Sequence, residues 1–191
     1  MGIGTVIVLG VLLVIVVYAT MLYNNLVQLK HNVTKAWANI DVLLKQRHDE
    51  LPKLVETCKQ YMKFEQETLQ KVMEARSKVF AAREAQNMPE LGQAEGALRA
   101  TLGHLFALAE AYPDLKTNQS FQQLQARISS LENGIADRRE FYNESVNVNN
   151  VRVEQFPDAI IAGMFSFKQA QLLEFREAEK ADVDMKQLFS A

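Results

Sequence analysis

The groups in this sequence best suited to catalysis or metal binding are three histidines, His31, His48 and His104, one cysteine, Cys58, and a scatter of carboxylates. No histidine stands at metal-ligand spacing from Cys58 or from another histidine. There is no His-Glu-x-x-His, Cys-x-x-Cys or Gly-rich phosphate loop. Di-metal sites in helical bundles use Glu-x-x-His pairs, and none occurs. Cys58 falls on an apolar helical face, where a thiol packs as a small hydrophobe. The expectation is a non-enzyme with no catalytic, cofactor-binding or metal-binding residues. A lone cysteine cannot form an internal disulfide, which leaves the compartment open.

Charged residues inside apolar stripes carry more information. Arg47, Glu65, Arg76 and Arg139 each interrupt a face that is otherwise hydrophobic at helical spacing. Buried charge is costly unless paired, so these four are expected to pair across helices and fix register. The alternative is that their stems snorkel at the bundle edge. For Arg139 the expected partner is Glu65 or Glu110 on another helix, with Glu132 on its own helix as the fallback.

The elements that carry these residues follow from the 3.6-residue period. Val33, Trp37, Ile40 and Leu44 recur at spacings of four, three and four, which is one helical face. Asp49 is a fair N-cap and Pro52 suits a first turn, so a new helix is expected to begin there and run to about Gln86. The apolar phase nevertheless passes through without a slip, over Leu44, Arg47, Leu51, Leu54 and Cys58. One long helix kinked at Pro52 is the competing reading, and it would leave three long helices. Asn87-Met88-Pro89 ends the second helix. The third carries Leu91, Ala94, Leu98, Leu102, Leu105 and Leu108, and stops near Tyr112-Pro113-Asp114. That last segment reads as a fixed turn, with Asp114 bonding nearby amides and Leu115 touching the bundle. The fourth helix starts near Asn118 or Ser120 and runs through Phe121, Ile128, Ile135, Tyr142 and Val153 to Phe156-Pro157. The predicted fold is all-α: an N-terminal transmembrane helix, then an up-and-down four-helix bundle over 24–157. Residues 158–191 read as a tail, apolar at first and charged from Glu174.

No charged side chain precedes Lys30, and Ile3 to Leu22 is nearly all Val, Ile, Leu and Gly. Twenty helical residues cover roughly 30 Å, the thickness of a bilayer's hydrocarbon core. A cleaved signal fits less well, because a positive n-region is lacking and the run is long. Residues 1–23 are therefore assigned as a retained anchor, with Tyr18 and Tyr23 near one interface. Nothing breaks the helix between Tyr23 and Val33, so the anchor is expected to continue into the bundle. Lys30 and Lys35 favour a cytoplasmic bundle by the positive-inside rule, and a periplasmic one stays open. The formal charge of −2 gives no global attraction to nucleic acid.

Several segments together resemble the LemA family. They begin with Tyr23-Asn24, Leu26-Val27, Ala36-Trp37, Ile40-Asp41-Val42 and Lys45. Arg47, Asp49, Pro52, Leu54-Val55, Lys59, Tyr61, Glu65 and Glu74-Ala75-Arg76 continue the match. Glu110 to Lys116, Asn118, Phe121, Glu132, Ile135, Arg139, Tyr142-Asn143, Asn150 and Phe156-Pro157 complete it. The sequence departs from the family pattern at His48, Glu50, Lys53 and Asn149. The resemblance implies a single-pass bacterial membrane protein with a helical bundle and no established activity, cofactor or ligand. Through relatives concerned with magnetosome membrane formation it implies a part in shaping or organising membranes. Family genes that neighbour membrane protease genes add a possible partner.

The candidate residues are therefore structural or partner-facing. They are Arg47, Glu65, Arg76 and Arg139 from the stripes, and Trp37, Glu110, Tyr112, Pro113, Asp114, Tyr142, Phe156 and Pro157 from the resemblance. The expected function is a scaffold in the bacterial plasma membrane that self-associates, with lipid and further copies of itself as partners. The anchor and the apolar tail would contribute to assembly. An adaptor for another membrane protein, such as a protease, is the alternative. An enzyme with an unrecognised site is a distant third.

Overall fold

A computed structural model of the chain describes residues 2–174. The described residues form six α-helices and no strand: α1 Ile3–Tyr61, α2 Gln66–Glu84, α3 Met88–Ala109, α4 Pro113–Lys116, α5 Gln119–Glu154 and α6 Asp158–Met164. The charged end of the tail, and Phe175 with it, lies outside the described residues.

The first helix is 59 residues long, about 90 Å at 1.5 Å per residue. The expected continuation of the anchor into the bundle is present. The expected break at Pro52 is not, since Pro52 lies inside α1. A proline there removes the N–H that would bond the carbonyl of His48, four residues back. That carbonyl instead accepts a hydrogen bond from Arg76 Nε on α2, at 2.9 Å. The backbone group orphaned by Pro52 is thus satisfied from a neighbouring helix, and the uninterrupted apolar face of α1 holds the helix together through the proline.

The interruption falls instead at 62–65, after which α2 begins. Its start has no side-chain cap. Met62 stays buried while Phe64 is 95% exposed. The second helix is therefore shorter at its N-terminus than expected, and the count of four long helices is kept by α1, α2, α3 and α5. The α2–α3 link turns through Gln86, whose φ is 51°. Asn87 then caps α3: its side chain accepts from Glu90 N at 3.2 Å and donates to Glu90 Oε2 at 3.0 Å, a reciprocal cap with Pro89 in the first turn. Asn118 caps α5 by accepting from Phe121 N at 3.0 Å.

The chain divides into two compact units. Among the described residues, one comprises 41–136 with Leu173 and Glu174. Its core is the inward faces of four longer helical segments together with short α4, including Leu51, Leu54, Leu69, Val72, Leu91, Leu105, Leu115 and Ile128, all buried. The α2 segment runs antiparallel to α1, with Asp41 opposite Arg83 and His48 opposite Arg76. So does this unit's part of α5, with Arg47 opposite Glu132 and Tyr61 opposite Asn118. Gly92 lies so close to the chain returning at Glu174 that an added Cβ would sit 1.9 Å from that carbonyl oxygen.

The other unit comprises, of the described residues, 2–40 and 137–172. Here α6 packs Ile161 and Ala162 on Leu22 and Leu26 of α1, with Ala19, Val153 and Phe167 around them. Residues 158–172, read from sequence as part of a separate tail, are integral to this unit. From Ile3 to Val17 every large apolar side chain of α1 is exposed, as expected of a segment whose solvent is lipid.

Candidate functional site

In the unit of four helical segments, three helices converge on Arg47. Its guanidinium is 1% exposed, and it hydrogen-bonds and ion-pairs with Glu95 of α3 and Glu132 of α5. Glu95 is itself 3% exposed. Burial alone would lower the Arg47 pKa, but the charges and hydrogen bonds of Glu95 and Glu132 outweigh it and hold the group above its ordinary value. The cluster is one fixed cation between two carboxylates, a charge-assisted clamp on three helices.

Polar contacts flank it on both sides. Toward the Asp41 end of this unit, Arg83 of α2 grips Asp41 with Nε at 2.6 Å and Nη2 at 2.8 Å, a bidentate fork. Next to it, Arg76 Nη2 lies 2.5 Å from His48 Nε2. Burial first, then the Arg76 charge, lowers the His48 pKa, so the imidazole is a neutral acceptor at this contact. The Phe80 ring stacks at 4.7 Å from that imidazole. Toward the Tyr61 end, buried Glu50 meets Arg127 at 3.2 Å and Lys53 at 3.2 Å. Tyr112 donates to Glu65 at 3.1 Å, and Asn118 donates to the Tyr61 hydroxyl at 2.9 Å.

The candidates from sequence thus take several roles. Arg47 is the centre of the clamp. Arg76 serves the carbonyl freed by Pro52 and the His48 ring. Glu65 and Tyr112 meet each other. Glu110 is exposed and pairs with Lys116. Pro113 opens the short α4, whose Leu115 is fully buried. Asp114 is exposed, and the amides two and three residues on, Lys116 and Thr117, bond the carbonyls of Tyr112 and Pro113. Arg139 lies half-buried on α5.

In the other unit, Trp37 meets Tyr142 edge to face at 6.0 Å. The Tyr142 hydroxyl donates to the Gln171 carbonyl at 2.9 Å, and burial raises its pKa. Asn150 clasps Ala170, donating to its carbonyl at 2.9 Å and accepting from its amide at 2.8 Å. Arg152 reaches buried Asp158 at 3.2 Å. Phe156 is 77% exposed and Pro157 half-buried.

Sequence reasoning did not name Glu95, Glu50, Asp41, Arg83, Arg127 or Asp158 as site residues. A signal existed for Glu95, which follows Leu91 by four and precedes Leu98 by three. Chemically these clusters hold helices rather than make bonds. The Cys58 thiol is pushed up to about 12 by burial, which keeps it protonated and unreactive. Among the described residues no group of three or more His, Cys, Asp or Glu could hold a metal ion.

Comparison with known proteins gives a consistent picture. The model of the LemA family matches residues 36–186. Protein LemA of Metamycoplasma hominis is 28% identical over 166 residues, covering 86% of this chain and 74% of the relative. Magnetosome protein MamQ 2 of Paramagnetospirillum magneticum is 28% identical over 96 residues, covering 50% of this chain and 35% of the relative. MamQ of Magnetospirillum gryphiswaldense is 26% identical over 96 residues with the same coverage. The chain therefore matches only about a third of the length of the magnetosome proteins. Together with the apolar first part of α1, these relatives indicate a membrane-anchored protein.

Proposed function

The chain belongs to the LemA family, and from that premise we propose that it is a single-pass, non-catalytic scaffold that self-associates in the bacterial plasma membrane. The observation that carries this reading is α1. One unbroken helix supplies both the apolar span and a face clamped by buried ion pairs. A chain that carries a membrane span and a clamped helical face on the same helix suits a role in organising or shaping membrane. Homo-oligomers mostly close into symmetric assemblies, which is the form of self-association expected here. The magnetosome relatives support a part in membrane organisation, which is carried over as a family-level expectation. Lys30 and Lys35 favour a bundle on the cytoplasmic side.

Mass photometry of the full chain in mild detergent tests the proposal. A discrete homo-oligomer is expected. A species of monomer mass at micromolar concentration would overturn self-association. A second reading, an adaptor for another membrane protein such as a protease, draws on one observation: a cleft of about 190 Å³ bordered by Leu44, His48, Val79, Phe80 and Arg83. It predicts monomer mass together with stoichiometric co-purification of one membrane protein.

A further inference from the structure

The surface of α6 runs against the usual pattern of a helix that faces water. Its inner face packs on the protein: Ile161 and Ala162 are buried against Leu22 and Leu26. Its outer face is apolar as well. Ile160 and Met164, four residues apart, are 54% and 71% exposed, with Phe165 beside them and Phe156, 77% exposed, in the turn before the helix. From Ala159 to Phe167 there is no charged residue. Asp158 at the start is buried and paired with Arg152. Contiguous apolar surface of this kind marks a contact with protein or membrane.

Its position within this unit selects between them. The span Ile3–Leu22 is one hydrocarbon thickness long. Val16 lies six residues before Leu22, about 9 Å into that span. Val16, Ala19 and Thr20 form one wall of a groove whose other wall includes Met164 and Phe165. The Tyr23 ring meets Phe165 at 4.8 Å and Phe167 at 5.7 Å, both edge to face. Aromatic clusters belong at the level where hydrocarbon gives way to headgroups. The medium that bathes Val16 to Thr20 therefore also bathes Met164 and Phe165.

We propose that the segment from Phe156 to Phe167 is a second membrane contact, lying in the interfacial layer beside the anchor with its outer face in lipid. This rests on the anchor being embedded and not on self-association. A short helix packed on a spanning one widens the protein's footprint in one leaflet and restricts the anchor's rotation about its axis.

The chain's one tryptophan makes the test direct. In a Trp37→Phe background, Met164→Trp and, separately, Ile160→Trp are made in the full chain and reconstituted in phosphatidylcholine vesicles. Brominated lipids serve as quenchers, and carbonate extraction reports embedding. The expected result is blue-shifted indole emission at both positions, quenched most strongly by bromines near the headgroup end of the acyl chains. Red-shifted emission without quenching, in a protein that resists extraction, would overturn the proposal and leave the anchored scaffold standing. Blue-shifted emission without quenching would also overturn it, because the face would then be covered by protein, such as a second copy. Release of the protein by carbonate would overturn both readings.

Discussion

Replacing Arg76 by leucine will destabilise the protein more when residue 52 is proline than when it is alanine. With proline at 52, the His48 carbonyl has no partner in its own helix, and Arg76 Nε supplies one at 2.9 Å. Leaving a buried acceptor unsatisfied costs about 1–3 kcal/mol. Both residues are only half-buried, so water will recover part of that, and the low end, about 1 kcal/mol, is expected. With alanine at 52 the helix regains its own N–H, so the carbonyl survives the loss of Arg76. The contact of Arg76 with the His48 ring and its attraction to Asp49 exist in both backgrounds and cancel in a double-mutant cycle. The cycle over Pro52→Ala and Arg76→Leu should thus return a coupling of about 1 kcal/mol, equivalent to about 2–4 °C in melting temperature for a chain of this size. Pro52→Ala alone should stabilise by up to about 3 kcal/mol. Melts of the four full-length proteins in mild detergent, followed by circular dichroism, give the answer. Coupling below about 0.3 kcal/mol, the additivity expected of independent sites, would refute the reasoning.

Arg47→Ala removes the buried cation that Glu95 and Glu132 share and should cost about 3–5 kcal/mol in the same melts. The paired replacement Arg47→Met with Glu95→Leu should recover much of that loss. For His48 the folded pKa is lowered by burial and by Arg76, so the folded state binds fewer protons than the unfolded. Its stabilising contribution is complete above the unfolded value of about 6.5 and is lost progressively as the pH falls from there through the lowered folded value. Melting temperature should therefore drop on acidification from about pH 7.5 to about pH 5.5, and His48→Gln should flatten that slope. Gly92→Ala places a Cβ where the Glu174 carbonyl now sits. It should cost about 1–3 kcal/mol and speed trypsin cleavage after Lys168.

Periodicity made most of the fold legible. The stripes through Leu91 to Leu108 and Phe121 to Val153 are α3 and α5, and the helix running from the anchor through Val33 and Trp37 is α1. Asn87 and Asn118 both cap as their side chains allow. Two features escaped. At Pro52 the local cost to the helix is real, but its compensation comes from Arg76, 24 positions further along the chain, which no local rule can see. At 62–65 the chain turns without glycine or proline, and Cys58, Met62 and Leu69 stay in phase across the turn. A stripe that remains in register on both sides of a break hides the break, and only exposed Phe64 betrays it.

The charges in those stripes show why partners are harder to read than the need for them. Arg47 on an apolar face demands an acid, and the acids that answer obey the same phase rule. Glu95 lies between Leu91 and Leu98, and Glu132 between Ile128 and Ile135, each four after the first and three before the second. Listing in-phase acids beside in-phase cations would have produced the trio. Assigning the pairs needs the register between helices, which the pattern within one helix does not contain. With Asn118 opposite Tyr61, antiparallel α5 brings Glu132 level with Arg47. Such a buried cluster adds little net stability over well-packed apolar residues of equal volume. Its physical consequence is selective: sliding α3 or α5 by one turn would leave apolar contacts nearly as good, since the stripes repeat, yet would part Arg47 from Glu95 or Glu132. The charges thus fix which turn of α1 faces which turn of α3 and α5. That specification is what a long anchored helix with a repetitive apolar face lacks on its own.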